Sequence, residues 1–202
     1  MMQGGLVLAG GMLAGAVPAR AQDNPMPAVL REALERQGDA PVLGNPDGDI
    51  TLTEFFDYNC PFCRQTVPLL QKLIQGDPQL RVVFREWPIF GEGSLFAAKA
   101  SLASLQQGKY WQFHTELMKI RGRAEEASVL RAAKKVGLDV ARLRKDMEAD
   151  KVLAHIDHSM ALADHMALAG TPTFIAGNDA LFGQQRLKDL QKLVEQARTD
   201  LL

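Results

Sequence analysis

Cysteine is nearly absent from this sequence. Of 202 residues only Cys60 and Cys63 carry a thiol, which excludes a framework of structural disulfides and any zinc cluster built on two cysteine pairs. An excess of charge is missing too: 23 basic against 24 acidic residues leave a net charge of −1, with no electrostatic footprint for nucleic acid or an anionic membrane surface. The 10 prolines and 17 glycines follow no repeat, so fibrous, low-complexity and solenoid architectures drop out. No apolar run reaches the ~20 residues that a bilayer-spanning helix needs.

What remains is 47% hydrophobic and 23% charged, the composition of one ordinary globular domain with a well-filled core. Residues 1–21 differ in kind. Gly4 to Val17 is uncharged and rich in Gly, Ala, Leu and Val, and it runs into Pro18-Ala19-Arg20-Ala21-Gln22. An apolar stretch closed by an Ala-x-Ala site reads as a secretory signal peptide cut after Ala21, although no Lys or Arg precedes the run. Export places the two cysteines in an oxidising compartment, the periplasm, where a disulfide persists. Residues 22–48 form an N-terminal linker and a short helix. Within 28–37, Val29, Leu30, Ala33 and Leu34 share one side; so short a helix is marginal alone in water and must pack on its own domain or on another subunit.

From residue 49 onward strands and helices alternate. Residues 50–58 are β-branched, aromatic and nearly continuous, the pattern of a central strand covered on both faces. Cys60-Pro61-Phe62-Cys63 follows, then a helix through about Ile74. Residues 80–90 predict a second strand with Pro88 at or beyond its end. About 92–169 the pattern is helical almost throughout, in segments 95–107, 110–120, 125–136, 140–149 and 152–169. Residues 173–176 and 180–182 predict a hairpin about Gly177-Asn178, and 186–202 an amphipathic helix. The order predicts an α/β thioredoxin-like domain over 49–202: a thioredoxin fold with an inserted all-α subdomain.

A strand ending in Cys-x-x-Cys at the mouth of a helix is the sequence form of a thiol–disulfide redox site. Such a site needs one exposed sulfur that ionises near neutral pH. A thiol of pKa about 8.5 is only ~3% thiolate at pH 7, whereas one lowered to about 6 is ~90% ionised. Cys60, at the helix start, meets unpaired N–H groups and the positive dipole end, an effect of up to about 1.5 pKa units. A larger shift requires hydrogen bonds from the Cys63 amide or thiol. Pro61 suits the first helical turn, where its missing N–H is no loss. Cys60 is thus the nucleophile and Cys63, one turn inward, resolves the mixed disulfide.

Glu54, six residues ahead of Cys60, is either a desolvated carboxyl of raised pKa that exchanges a proton with Cys63, or a strand residue reaching solvent at the sheet edge. In Gly170-Thr171-Pro172-Thr173-Phe174 a proline opens a strand. In this fold it lies against the cysteine pair, and a cis bond turns the Thr171 backbone toward a bound peptide. His155 and His158, an i, i+3 pair near Met160 and Met166, offer copper-type donors, against the plainer reading of a polar helix face with core methionines. No metal site is assigned, and the Cys60–Cys63 disulfide is itself the redox centre.

Three stretches, Glu54-Phe55-Phe56-Asp57-Tyr58-Asn59-Cys60-Pro61-Phe62-Cys63, Tyr110-Trp111-Gln112-Phe113-His114 and Gly170-Thr171-Pro172-Thr173-Phe174, together resemble the DsbA-like family of exported thiol–disulfide oxidoreductases over roughly residues 40–202. The resemblance implies Cys60 as attacking cysteine, Cys63 as resolving cysteine, Glu54 as buried acid, and Pro172 as a cis-proline preceded by Thr171, with Pro61 and Phe62 also meeting substrate. It implies secreted substrate proteins with cysteines, a membrane redox partner and no organic cofactor. The helix within 28–37 is similar to the oligomerisation segment of the ScsC-type and Com1-like branch, implying a homo-oligomer through those residues. Two departures from the prototype matter. Phe62 stands where the prototype has a histidine that helps hold the thiolate, so the reduced form should be less stabilised; and Thr171, rather than Val, is also seen in isomerase and reductase branches. The expected function is formation or exchange of disulfides in secreted proteins, with oxidase favoured over isomerase or reductase. The alternative from another class is a copper-binding, copper-tolerance protein using the same cysteines as a soft Cu(I) site.

Overall fold

Strand β2 (Ile50–Phe56) is buried along its whole length, as its unbroken run of β-branched and aromatic residues requires. The computed structural model describes residues 25–38 and 40–202; the signal peptide expected over 1–21 and the start of the linker lie outside them. β2 is the centre of a five-stranded sheet of order β1 (Val42–Gly44), β3 (Leu80–Glu86), β2, β4 (Thr173–Ala176), β5 (Asp179–Phe182). β2 and β3 run parallel, joined through helix α2 (Val67–Gly76), and the other pairs are antiparallel. Helices α3 (Glu92–Ala103), α4 (Tyr110–Met118), α5 (Glu126–Lys135), α6 (Val140–Asp146) and α7 (Asp150–His165) lie between β3 and β4, and α8 (Leu187–Leu201) follows the hairpin. This is the thioredoxin fold with an inserted all-α subdomain. No helix among the described residues is long and apolar enough to cross a membrane.

The strand period of two sends Leu52, Glu54 and Phe56 to one face of the sheet and Phe55 to the other. On the first face Leu52, Phe56, Val82 and Phe84 pack with Leu70 and Leu73 of α2 and Leu190 and Val194 of α8. That core continues without a break into Phe113, Val129, Leu143 and Ile156 of the inserted helices. On the second face Phe55, Trp87 and Ile175 meet Leu34, Leu162 and Ala163.

Leu34 belongs to α1 (Ala28–Glu35), the short helix whose apolar side needs a partner. It packs on its own sheet, with Leu30 and Ala33 beside it. Two arginines of β3 cap its C-terminal carbonyls: Arg85, fully buried, donates to Ala33 O at 2.7 Å and Leu34 O at 2.9 Å, and Arg81 donates to Glu35 O. At the other end Arg31 donates to Gly177 O at 2.9 Å and Asn178 Oδ1 at 2.8 Å. The helix thus lies across the sheet from β3 to the β4–β5 turn, with Leu34 buried and Leu30 and Ala33 packed beside it, while Val29, expected on the same apolar side, is 79% exposed.

The two central strands end earlier than their sequence patterns. β2 stops at Phe56 and β3 at Glu86 because Asp57 spends its carboxylate on loop amides and Pro88 has no N–H for a ladder.

Candidate active site

The cysteine turn leaves the sheet directly after β2. The Cys60 N–H donates to Asp57 O at 3.1 Å, Cys63–Gln65 forms a single 3-10 turn, and α2 starts at Val67. The continuous helix expected behind Cys60 is broken here because Pro68 removes an N–H and its ring crowds the carbonyl four residues back. Cys60 therefore lies ahead of the turn rather than on a helix N-terminus, and local hydrogen bonds replace the helix dipole as its main support.

Both cysteines are free thiols, and both are buried, Cys60 at 1% exposure. This corrects the expectation of an exposed attacking sulfur. Cys60 Sγ accepts from the Cys63 N–H at 3.4 Å, and its S–H reaches Thr171 O at 3.3 Å. The Cys63 thiol, the Thr171 side chain and the Cys63 and Phe62 amides hold the Cys60 pKa down to about 6 in spite of burial. At pH 7 such a group is ~90% thiolate. Cys63 goes the other way: burial, its bond to Cys60 and the nearby Glu54 carboxyl push its pKa far above the thiol range.

Glu54 is fully buried, in register with Phe84 on one neighbouring strand and Phe174 on the other, so the sheet-edge alternative is excluded. Burial lifts its pKa to about 8, partly offset by Thr66. Thr66 Oγ1 lies 2.8 Å from both Glu54 Oε1 and the Cys63 carbonyl. With Glu54 protonated, its hydroxyl donates to Thr66 and Thr66 donates to Cys63 O, while Glu54 Oε2 is buried without a hydrogen-bond partner among the described residues.

The Thr171–Pro172 peptide bond is cis. The Thr171 hydroxyl is buried beside the Cys60 sulfur and, among the described residues, has no other partner. Pro172 O accepts from Gly183 N–H at 2.8 Å, tying this loop to the end of β5. Pro61 and Phe62 are exposed, and it is the Phe62 amide, not its ring, that faces Cys60. Ile89, Phe90 and Phe182 are further exposed apolar side chains on the loop after β3 and the end of β5.

The histidine pair does not converge. His155 is buried with its Nε2 2.7 Å from Glu86, while His158 is exposed beside Gln37. No group of three or more metal-ligating side chains occurs among the described residues. Tyr110 donates to Glu86 at 2.8 Å, and His114, stacked on Trp111 and pushed by burial to a pKa of about 3, is neutral and sits 3.0 Å from the Tyr58 hydroxyl.

One set of contacts had no signal in the sequence. Asp57, buried, accepts from Asn59 N–H at 2.6 Å, Ser94 Oγ at 2.7 Å and Phe90 N–H at 3.1 Å. Asn59 Oδ1 accepts from Ala124 N–H at 2.7 Å, and its Nδ2 donates to Ala124 O at 3.2 Å and Ser94 Oγ at 3.0 Å. Arg64 donates to Tyr58 O and, at 2.7 Å, to Gly122 O. The loop at 122–125 also needs Gly93: a Cβ there would lie 2.3 Å from Ala124 O. Asn59 and Asp57 fall inside the cysteine motif, but their partners lie up to 65 residues away.

Comparison with known proteins agrees with this geometry. The model of the DSBA-like thioredoxin domain matches residues 51–195. A thioredoxin-like oxidoreductase from Silicibacter pomeroyi DSS-3 is 51% identical with a TM-score of 0.82, over 84% of this chain and 98% of that one. The thiol–disulfide exchange protein α-DsbA2 from Wolbachia pipientis is 28% identical with a TM-score of 0.77, over 83% and 91%. A periplasmic thioredoxin-like protein from Salmonella enterica serovar Typhimurium is 27% identical with a TM-score of 0.78, over 86% and 98%. Among curated proteins, the Na(+)/H(+) antiporter NhaA 3 of Salinispora tropica is 28% identical over 158 residues, which are 77% of this chain and 24% of that protein. The chain spans about a quarter of the length of the curated relatives it matches.

Proposed function

The chain belongs to the DSBA-like thioredoxin domain family, and from that premise we propose that it is a thiol–disulfide oxidoreductase that forms and exchanges disulfides in exported proteins through Cys60 and Cys63. The observation that carries the reading is the opposed acidity of two thiols in one turn, Cys60 lowered to about 6 and Cys63 raised.

In the oxidised protein a substrate thiolate attacks the Cys60 sulfur. The Cys60–Cys63 bond breaks, and its electron pair leaves on Cys63, which takes up a proton because its thiolate is disfavoured there. Glu54, held as a carboxylic acid up to about pH 8, is the nearby proton source, and solvent reprotonates it. A second substrate thiolate then attacks the substrate sulfur of the mixed disulfide, and Cys60 departs as a stabilised thiolate. Two electrons pass from substrate to the cysteine pair, and a membrane redox partner removes them. Thr171 and Pro172 align the substrate strand, and exposed Pro61 and Phe62 meet it. The cysteine pair is the redox centre, without metal or organic cofactor. Residues 1–21 serve as the export signal, and the periplasm, named for the Salmonella relative, is the working compartment.

Cys60→Ser is expected to abolish exchange with an unchanged circular dichroism spectrum, and Cys63→Ser to accumulate a mixed disulfide with a cysteine peptide. Turnover retained in Cys60→Ser refutes the mechanism. Direction is read from equilibrium with glutathione: a potential well above the thioredoxin value of about −270 mV establishes an oxidant, and one at or below it a reductase. Reactivation of a scrambled disulfide substrate separates isomerase from oxidase.

A further inference from the structure

Between Phe56 and Cys63 the chain belongs to neither sheet nor helix; Cys60 N–H bonds Asp57 O within it, and the Arg64 and Gln65 N–H groups bond back to Cys60 O and Phe62 O. Further support comes from the inserted subdomain. Asn59 treats Ala124 as a neighbouring strand would, accepting from its N–H and donating to its carbonyl. The second Asn59 amide hydrogen meets Ser94 Oγ, whose own hydroxyl donates to Asp57. Asp57, Ser94 and Ala124 are buried, so breaking any of these bonds strands a polar group away from water. The Asp57 N–H also bonds the Cys63 thiol, whereas the Asn59 and Ser94 side chains are not among the hydrogen-bond partners of the Cys60 sulfur.

We propose that Asn59, backed by Asp57 and Ser94, is a positioning residue of the redox site that holds the Cys60 turn against the 122–125 loop of the inserted subdomain. Held so, the Phe62 and Cys63 amides face the Cys60 sulfur; released, the turn lets them swing away and the thiolate loses its donors. The amide group is specific to the task. An aspartate puts an acceptor against the Ala124 carbonyl, and an aliphatic side chain offers neither half of the pairing. The inference rests on Cys60 as the reactive thiol.

The test follows Cys60 alkylation by iodoacetamide against pH in the reduced protein, with glutathione equilibria and thermal unfolding measured alongside. Wild type is expected to titrate near pH 6; if no thiolate forms below about pH 8, the functional reading itself fails. Given that titration, Asn59→Ala is expected to raise the midpoint by about one unit, which at pH 7 favours the disulfide in the glutathione equilibrium by about fivefold. Ser94→Ala, which keeps the pairing with Ala124, is expected to shift both in the same direction by less, and decides the matter if Asn59→Ala does not fold. Lys135→Ala, which removes a surface ion pair with Glu116 elsewhere in the inserted subdomain, is expected to leave both unchanged. Variants at 59 and 94 that lower the unfolding temperature yet keep the wild-type midpoint and equilibrium overturn the proposal.

Discussion

Glu54 stays neutral in the folded protein over most of the range in which an unfolded chain ionises it. Its pKa is about 8 when buried, against about 4.3 for a free glutamate. Between those values the native state binds the extra proton, so stability falls as pH rises through the window and levels off above about pH 8. Glu54→Gln keeps a donor for Thr66 and removes the ionisation. It is expected to stabilise the reduced protein by about 4 kcal/mol at pH 7.5 and by less than about 1 kcal/mol near pH 4.5, by urea unfolding at both pH values. An equal effect at both would remove the buried carboxyl from the account. The spacing to Cys60 brought Glu54 to notice, but spacing alone could not choose between core and edge. That choice was made by strands on both sides of β2, one of them contributed by residues more than a hundred positions later.

At the scale of elements, α1 shows what hydropathy leaves out. Its apolar side was legible in Leu30, Ala33 and Leu34, whereas Val29, read onto the same side, is exposed, and the surface the helix covers was not legible. Arg81 and Arg85 look like the solvent side of an alternating strand; in the structure they face α1 and bond its last carbonyls, the free acceptors that every helix C-terminus leaves. Arg85→Ala is expected to destabilise the protein by about 3 kcal/mol, since charge-assisted bonds are lost and buried carbonyls left bare. Residues 25–37 should become the first site of trypsin cleavage in that variant; an unchanged urea midpoint and cleavage pattern would mean that α1 is held by its apolar side alone. The cysteine turn, the inserted helices and the hairpin about Gly177 were readable from local pattern. The helix break at Pro68 is locally encoded as well, while the grip of Asn59 on Ala124 joins two loops and has no periodicity to betray it.

On the scale of the molecule, one apolar cluster runs from Leu52 in the sheet through Phe113, Val129 and Ile156 in the inserted helices. Two layers sharing a core lose it together. Calorimetry is expected to show a single unfolding transition whose calorimetric and van't Hoff enthalpies agree. Phe113→Ala, which opens a cavity worth about 3–5 kcal/mol, should lower that whole transition rather than split it. Two resolved transitions would mean that the inserted helices fold as a unit of their own.

The bare backbone at Gly93 gives this shared architecture a hereditary edge. Inserted helices are ordinarily where a sequence drifts with least penalty, because they lie outside the chemistry. Position 93 is not free in that way: any side chain there must displace the Ala124 carbonyl, the same group that Asn59 holds. A single methyl acquired in α3 would therefore be inherited as a change in the acidity of a sulfur on another element.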